Sequence, residues 1–135
     1  MKVLNIDHIG IAVKQISDSM EFYSSALGLK LGGTEEVPER HLKVGFIEIG
    51  STRIELIEST SDESAIAKYI EKKGGGLHHI CLSVDNIVEA LTHMKNKGFK
   101  LIDNEPKDGA EGSKVAFVHP KSAGGVLIEL KELPQ

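Results

Sequence analysis

The chain has 135 residues and a mass of 14.6 kDa, which is one domain, or two small halves fused into one. It is 40% apolar and 27% charged, with a net charge of −4. That balance excludes wholesale disorder, collagen-like repeats and coiled coil, and the acidic excess with only four Phe, two Tyr and no Trp argues against a nucleic-acid surface. No apolar run approaches the about 20 residues that span a bilayer. Asn5, Asp7 and His8 break the opening MKVLNIDHIG, so no signal-peptide core is expected there. The single cysteine, Cys81, has no partner for an internal disulfide, and a reducing, cytoplasmic location is expected.

Residues 4–13 alternate and are rich in Ile and Val, which predicts a strand. Ser17 is expected to cap a helix carrying Met20, Phe22, Tyr23 and Leu27, with Gly28 as its stop. Strand signals follow at about 29–37, 42–49 and 52–58, with Gly50-Ser51 as the last turn. The charged cluster from Glu35 to Arg40 reads as a solvated loop. Residues 60–73 predict a further helix, capped by Ser61 or Ser64, with Ala65, Ile66, Tyr69 and Ile70 on one face. After a Gly74-Gly75-Gly76 hinge come a strand at 78–84, a helix at about 86–97 stopped by Gly98, and strands near 99–103, 113–119 and 125–131. Residues 107–112 read as a polar loop and 121–125 as a turn.

The second half repeats the first. Asp7-His8-Ile9-Gly10-Ile11 matches His78-His79-Ile80-Cys81-Leu82, and Lys43-Val44-Gly45-Phe46 matches Lys114-Val115-Ala116-Phe117, both 71 residues apart. Gly28-Leu29-Lys30-Leu31 matches Gly98-Phe99-Lys100-Leu101, and Ile54-Glu55-Leu56 matches Ile128-Glu129-Leu130. Matches at stations in the same order mean a duplicated unit, β-α-β-β-β twice: module one at about 1–59, a connecting helix at about 60–73 and module two at about 77–133 of a single α+β domain.

Duplication turns isolated polar residues into a set. His8 and His79 sit early in each first strand, and Glu55 and Glu129 sit mid-way in each last strand. Strand alternation puts Glu55 opposite Ile54 and Leu56, and Glu129 opposite Ile128 and Leu130, so each carboxylate faces either solvent or a polar cavity. In the second case the two-fold repeat would gather two imidazoles and two carboxylates. That set suits Zn, Ni, Co, Mn or Fe(II) and excludes a structural cysteine–zinc site. His41, His93 and His119 have no histidine counterpart in the repeat and are expected not to be ligands, with His93 on an exposed helix face. Cys81 reads as a small buried strand residue, not a nucleophile.

The duplicated βαβββ pattern with His…Glu…His…Glu resembles the vicinal oxygen chelate superfamily. Within it, Gly76-Leu77-His78-His79-Ile80, Asp103-Asn104-Glu105-Pro106 and the run from His119 to Leu130 are similar to the methylmalonyl-CoA epimerase family. The resemblance implies paired modules forming a curved mixed sheet around a metal cavity, a homodimer, and an acyl-CoA thioester substrate. It implies one divalent ion (Co, Mn, Ni or Zn) on His8, Glu55, His79 and Glu129. The implied reaction inverts the α-carbon of a malonyl-type thioester by proton exchange on both faces of an enolate. Glu129 is then one proton carrier. Some family members carry a catalytic Glu where this chain has Val44. Glu48, which shares the strand parity of Val44, is the candidate for the other face, with Glu39 and a metal-bound water as further options. Lys121 and Ser122 are candidates for binding a substrate carboxylate or phosphate. The competing readings are glyoxalase I (lactoylglutathione lyase), with the same fold and ligand set, and a metal-free ligand-binding module of the superfamily.

Overall fold

A computed structural model describes all residues, Met1–Gln135. It falls into two compact units, His8–His78 and, with the N-terminal stretch Met1–Asp7, His79–Gln135. No helix is long and apolar enough to cross a membrane.

The strands β1 (Val3–Val13), which enters the first unit at His8, β2 (Leu31–Val37), β3 (Leu42–Ile49) and β4 (Thr52–Ser59) fall on the predicted segments, and β1 alternates from Asp7 onward. They pair in the order β2-β3-β4-β1, with β1 and β4 parallel and the other neighbours antiparallel. The parallel pair requires a crossover, and α1 (Ile16–Met20) with the π-helical segment Glu21–Ala26 begins it. One face of the sheet packs on that crossover: Ile16, Ile47 and Leu56 are buried among Ile11, Val13, Met20, Tyr23 and Ile54. Gly45 permits the contact, because a Cβ there would stand 3.1 Å from Ile16 Cγ2 and 3.2 Å from Leu31 Cδ1. The other face is closed at one end only, by α2 (Ala65–Lys73), whose Ile66, Tyr69 and Ile70 pack on Ala12, Val44 and Ile57.

The second unit repeats this arrangement. Its strands β5 (Gly76–Val84), β6 (Lys107–Asp108), β7 (Lys114–Val118) and β8 (Leu127–Glu132) pair in the order β6-β7-β8-β5, with β5 and β8 parallel. Val84, Ala116, Val118 and Leu130 bury one face against Ile87, Ala90 and Leu91 of α3 (Ile87–Asn96).

Several sequence expectations are corrected. Ser17 lies inside α1 and caps nothing; the preceding Gln15 gives no side-chain cap, and the Ile16 N–H instead donates to Glu58 Oε1 at 2.7 Å. Phe22 and Leu27 of the first crossover are exposed. The helix of 60–73 starts at Ala65, where Ser64 accepts the Ala67 N–H at 2.9 Å, and Ala65 itself is exposed. Glu35 to Val37 belong to the strand expected at about 29–37 and not to the loop read from Glu35 to Arg40, of which only Pro38–Arg40 form a 3-10 turn. The strand near 99–103 is reduced to a single bridge between Leu101 and Val118. There Asp103 Oδ2 accepts the Phe117 N–H at 2.8 Å, so a side chain takes the place of a ladder carbonyl. Pairing resumes at Lys107–Asp108, inside the expected polar loop, where the Lys114 ammonium meets the Asp108 carboxylate.

Candidate functional site

The candidate His and Glu residues lie on the sheet faces opposite the crossover helices. In a ladder, directly paired residues share a face. In the first unit His8 pairs with Arg53 and Gly10 with Glu55 across the parallel strands, and Phe46 pairs with Glu55 and Glu48 with Arg53 across the antiparallel ones. So His8, Arg53, Glu55, Phe46 and Glu48 line one surface. In the second unit His79 pairs with Leu127, Cys81 with Glu129, and Phe117 with Glu129. The register is the same in both halves: each histidine stands two residues before the partner of a glutamate, and a phenylalanine lies across from that glutamate.

This register makes two matching contacts. His8 Nδ1 lies 3.2 Å from Glu55 Oε2, and His79 Nε2 lies 3.4 Å from Glu129 Oε1. Both imidazoles are buried, and the carboxylate side chains keep 12% (Glu55) and 14% (Glu129) exposure. The second histidine is flanked by the edge-on ring of Phe117, 6.3 Å between centroids. In the first unit Arg53 takes part: its Nε donates to Glu55 Oε2 at 3.1 Å and its Cζ stands 4.7 Å over the Phe46 ring. Nitrogen and oxygen donors without a thiolate are the set taken by borderline and hard divalent ions, so the residues of both pairs fit a metal of that class.

The other sequence candidates fall as follows. Glu48 shares the face of Glu55 but is exposed at the end of β3. Val44 is buried against Ala12, Ile57 and Ile66. Lys121 is exposed, and Ser122 is engaged locally, its hydroxyl accepting the Lys100 N–H at 2.7 Å and facing the Lys100 carbonyl at 3.2 Å. His119 Nδ1 accepts the Lys121 N–H at 3.0 Å, so the His-Pro-Lys-Ser stretch forms a self-bonded turn ahead of β8. His78 turns away from His79 to an edge contact with Tyr69, 4.9 Å between centroids, and His93 is exposed as expected. Cys81 is fully buried, but its register sets it on the face of Glu129, opposite the α3 core.

Sequence reasoning missed Arg53, Phe46 and Phe117. The signal was available. Arg53 is two residues from Glu55, hence on its face, and the two phenylalanines occupy matched stations of the repeat.

Comparison with known proteins places the chain in a family. A family model described as "Glyoxalase/Bleomycin resistance protein/Dioxygenase superfamily" matches residues 7–117. The ethylmalonyl-CoA/methylmalonyl-CoA epimerase of Cereibacter sphaeroides is 36% identical over 95% of this chain and 97% of its own. A solved methylmalonyl-CoA epimerase in complex with methylmalonyl-CoA and NH4+ superposes with a TM-score of 0.86 at 32% identity, covering 98% of this chain and 96% of that one. The lactoylglutathione lyase of Escherichia coli O157:H7 is more distant, 30% identical over 93% of this chain and 90% of its own. The chain therefore belongs to the glyoxalase/bleomycin resistance protein/dioxygenase superfamily and, within it, to the methylmalonyl-CoA epimerases, a family of isomerases.

Proposed function

We propose that this chain epimerises methylmalonyl-CoA by exchanging the proton at C2, with one divalent ion, Co, Mn, Ni or Zn, held jointly by His8, Glu55, His79 and Glu129. The observation that carries the reading is the duplicated His–Glu contact, 3.2 Å in one unit and 3.4 Å in the other, in a chain whose relatives bear that enzyme's name. A bound divalent ion would supply Lewis-acid polarisation of the thioester carbonyl and so acidify C2.

The chain's own residues do the rest. Glu129 is the proton carrier for one face of C2, and its partial exposure leaves a carboxylate oxygen within reach of substrate. Glu48, on the face of Glu55, carries the proton on the other. Two such groups are what inversion through a planar carbanion requires, each contributing about 10²–10⁴-fold. Phe46 and Phe117, each directly across the ladder from one of the glutamates, give the two carboxylates an apolar neighbour. Lys121 and Ser122, in the turn before β8, bind the anionic groups of the thioester. The reading includes a single domain and a homodimer, and a reducing cytoplasm, the last of which the lone buried Cys81 supports.

The test is deuterium exchange at C2 of methylmalonyl-CoA in D₂O, with chelator-stripped protein before and after adding Co²⁺ or Mn²⁺. Metal-dependent exchange with epimerisation, abolished in Glu129→Gln, is expected. Absence of exchange with every metal would sink the proposal. Turnover of the glutathione hemithioacetal would then assign the lactoylglutathione lyase reaction, and inertness toward both without metal binding would assign a binding module.

A further inference from the structure

The repeat is not symmetric at one position of the site face. Where the first unit has Arg53, paired with His8, the second has Leu127, paired with His79. Arg53 Nε donates to Glu55 Oε2 at 3.1 Å, and His8 Nδ1 lies 3.2 Å from the same oxygen. Both contacts fall on Oε2, so Oε1 is the oxygen that Glu55 has left to offer. The guanidinium is held in turn, its Cζ 4.7 Å over the Phe46 ring. Phe46 stands directly across the ladder from Glu55, and Arg53 lies two residues before it on the same face. The Glu55 side chain keeps 12% exposure, which limits competition from water for this bond. A charge-assisted hydrogen bond from a guanidinium is short and specific in geometry, so it fixes the plane of the carboxylate as well as its position. Leu127 has no polar group that could do the same for Glu129.

We propose that Arg53 is a positioning residue that locks Glu55 as a one-oxygen ligand and so tilts the site away from Mn²⁺ toward ions such as Ni²⁺. The inference rests on the reading of Glu55 as a metal ligand and narrows the class of metal which that reading leaves open. Ions differ in what they take from a carboxylate. Mn²⁺ is suited by carboxylate oxygen, whereas Ni²⁺ is suited by imidazole nitrogen. A carboxylate free to turn can give a hard ion both oxygens, as a bidentate Glu does for Ca²⁺. One held in a fixed plane with Oε2 already engaged gives only the other. The asymmetry of the repeat then divides the labour. The glutamate beside the guanidinium stays in place as a ligand, and Glu129, with leucine at the matching station, is the one that turns to carry a proton.

The experiment measures dissociation constants for Ni²⁺ and Mn²⁺ on chelator-stripped wild type, Arg53→Lys, Arg53→Leu and Glu55→Ala, and records the visible absorption of bound Ni²⁺. Arg53→Leu is expected to lower the ratio of the Mn²⁺ to the Ni²⁺ dissociation constant by about 10-fold and to alter the Ni²⁺ spectrum. Arg53→Lys keeps the charge but not the planar inner N–H, so it should move the ratio in the same direction by less. It carries the comparison should Arg53→Leu fail to fold. A merely structural role for Arg53 would shift both constants by the same factor and leave the ratio at its wild-type value, which overturns the proposal, as does no shift in either. Failure of the ligand reading is separately visible, because Glu55→Ala would then bind both ions as tightly as wild type whatever Arg53 does.

Discussion

Glu58 and Glu132 do the same work in the two halves of the repeat. Each is near the end of its unit's last strand, and each reaches back to accept the N–H of the first residue of a crossover helix: Glu58 takes Ile16 at 2.7 Å and Glu132 takes Ile87 at 2.8 Å. A negative group at a helix N-terminus satisfies an orphan donor and complements the helix dipole. The halves differ in what else caps the helix. Asn86 accepts the Glu89 N–H at 3.0 Å at the start of α3, whereas Gln15 contributes no side-chain cap to α1.

That difference predicts unequal costs. Glu58→Ala leaves α1 without a side-chain acceptor and should cost about 1–2 kcal/mol. Glu132→Ala, with Asn86 still in place, should cost less than Glu58→Ala. Glu→Gln at either site keeps an acceptor oxygen and should fall between the alanine variant and wild type. Calorimetric melting of the four variants measures the order, at about 4 °C per kcal/mol for a domain of this size.

The paired His–Glu contacts predict a ligand-dependent stability. If His8, Glu55, His79 and Glu129 hold a divalent ion in the folded state only, saturation at about 100 times the dissociation constant should add about 2.7 kcal/mol. His8→Ala, Glu55→Ala, His79→Ala and Glu129→Ala should each lose most of that increment. Melting with and without Co²⁺ after chelator treatment reads it without reference to turnover. A full metal-induced rise in all four variants would exclude these residues as the ligands.

The strands and the His and Glu stations were legible because a strand has period two. Once Ile54 and Leu56 point to a core, Glu55 must point away, and the duplication repeats the inference at Glu129. The caps were not legible locally, since Ile16 and Glu58 lie 42 residues apart and Ile87 and Glu132 lie 45 apart. The weak edge at Leu101 was misread for a similar reason. Its apolar residues look like a strand, but the Asp103 carboxylate takes the N–H that a continued ladder would have used. β2 is exposed almost throughout and offers no alternation, so the charged residues Glu35 and Glu36 read equally as the end of a strand and as solvated loop. Arg53 required the register across β3 and β4 to show that it lies over Phe46.

Val44 shares the strand parity of Glu48, and the packing predicts what a glutamate in its place would do. Val44 is buried with Ala12, Ile57 and Ile66 under α2. A carboxylate there has no partner in that cluster, so Val44→Glu should cost about 3 kcal/mol and melt early. Glu48→Gln should leave stability within about 0.5 kcal/mol, being exposed. If Glu48 carries the second proton, Glu48→Gln lowers C2 exchange from one enantiomer of methylmalonyl-CoA while leaving exchange from the other largely intact. Equal retention for both enantiomers would remove Glu48 from the mechanism.

The N-terminal stretch is tied to the second unit through Asp85, whose carboxylate accepts the Lys2 N–H at 2.7 Å while the Asp85 N–H donates to the Lys2 carbonyl at 3.1 Å. The Lys2 hydrogen bond, chiefly, holds the Asp85 carboxyl below its ordinary value of 3.8. A carboxylate whose pKa is lower folded than unfolded stabilises the fold above the unfolded value, and the effect fades as pH falls through the folded one. Asp85→Asn should therefore melt below wild type at neutral pH, and the two curves should converge in strong acid. A constant gap between them across the acid range would show that the hydrogen bond does not depend on the charge.

Ser113 is fully buried at the entrance to β7, and its Oγ has no hydrogen-bond partner. It shares the strand parity of Val115 and Phe117, hence the face of Glu129. A buried hydroxyl without a partner forfeits its hydration and gains nothing in return, so its removal should help the fold. Ser113→Ala is expected to raise stability by about 1 kcal/mol, since the small void left by one oxygen costs less than the unpaired group. Gly109 limits the remedy from the other side: a Cβ there would stand 2.6 Å from Ser113 Oγ and 2.8 Å from Val115 Cγ1, so Gly109→Ala should destabilise in the wild-type background. In Ser113→Ala the first clash is gone and the second remains, which predicts partial rescue by the double variant. Melting curves of the two single variants and the double variant test both halves of the argument. A loss of stability in Ser113→Ala would mean that the hydroxyl has a partner within the folded protein after all.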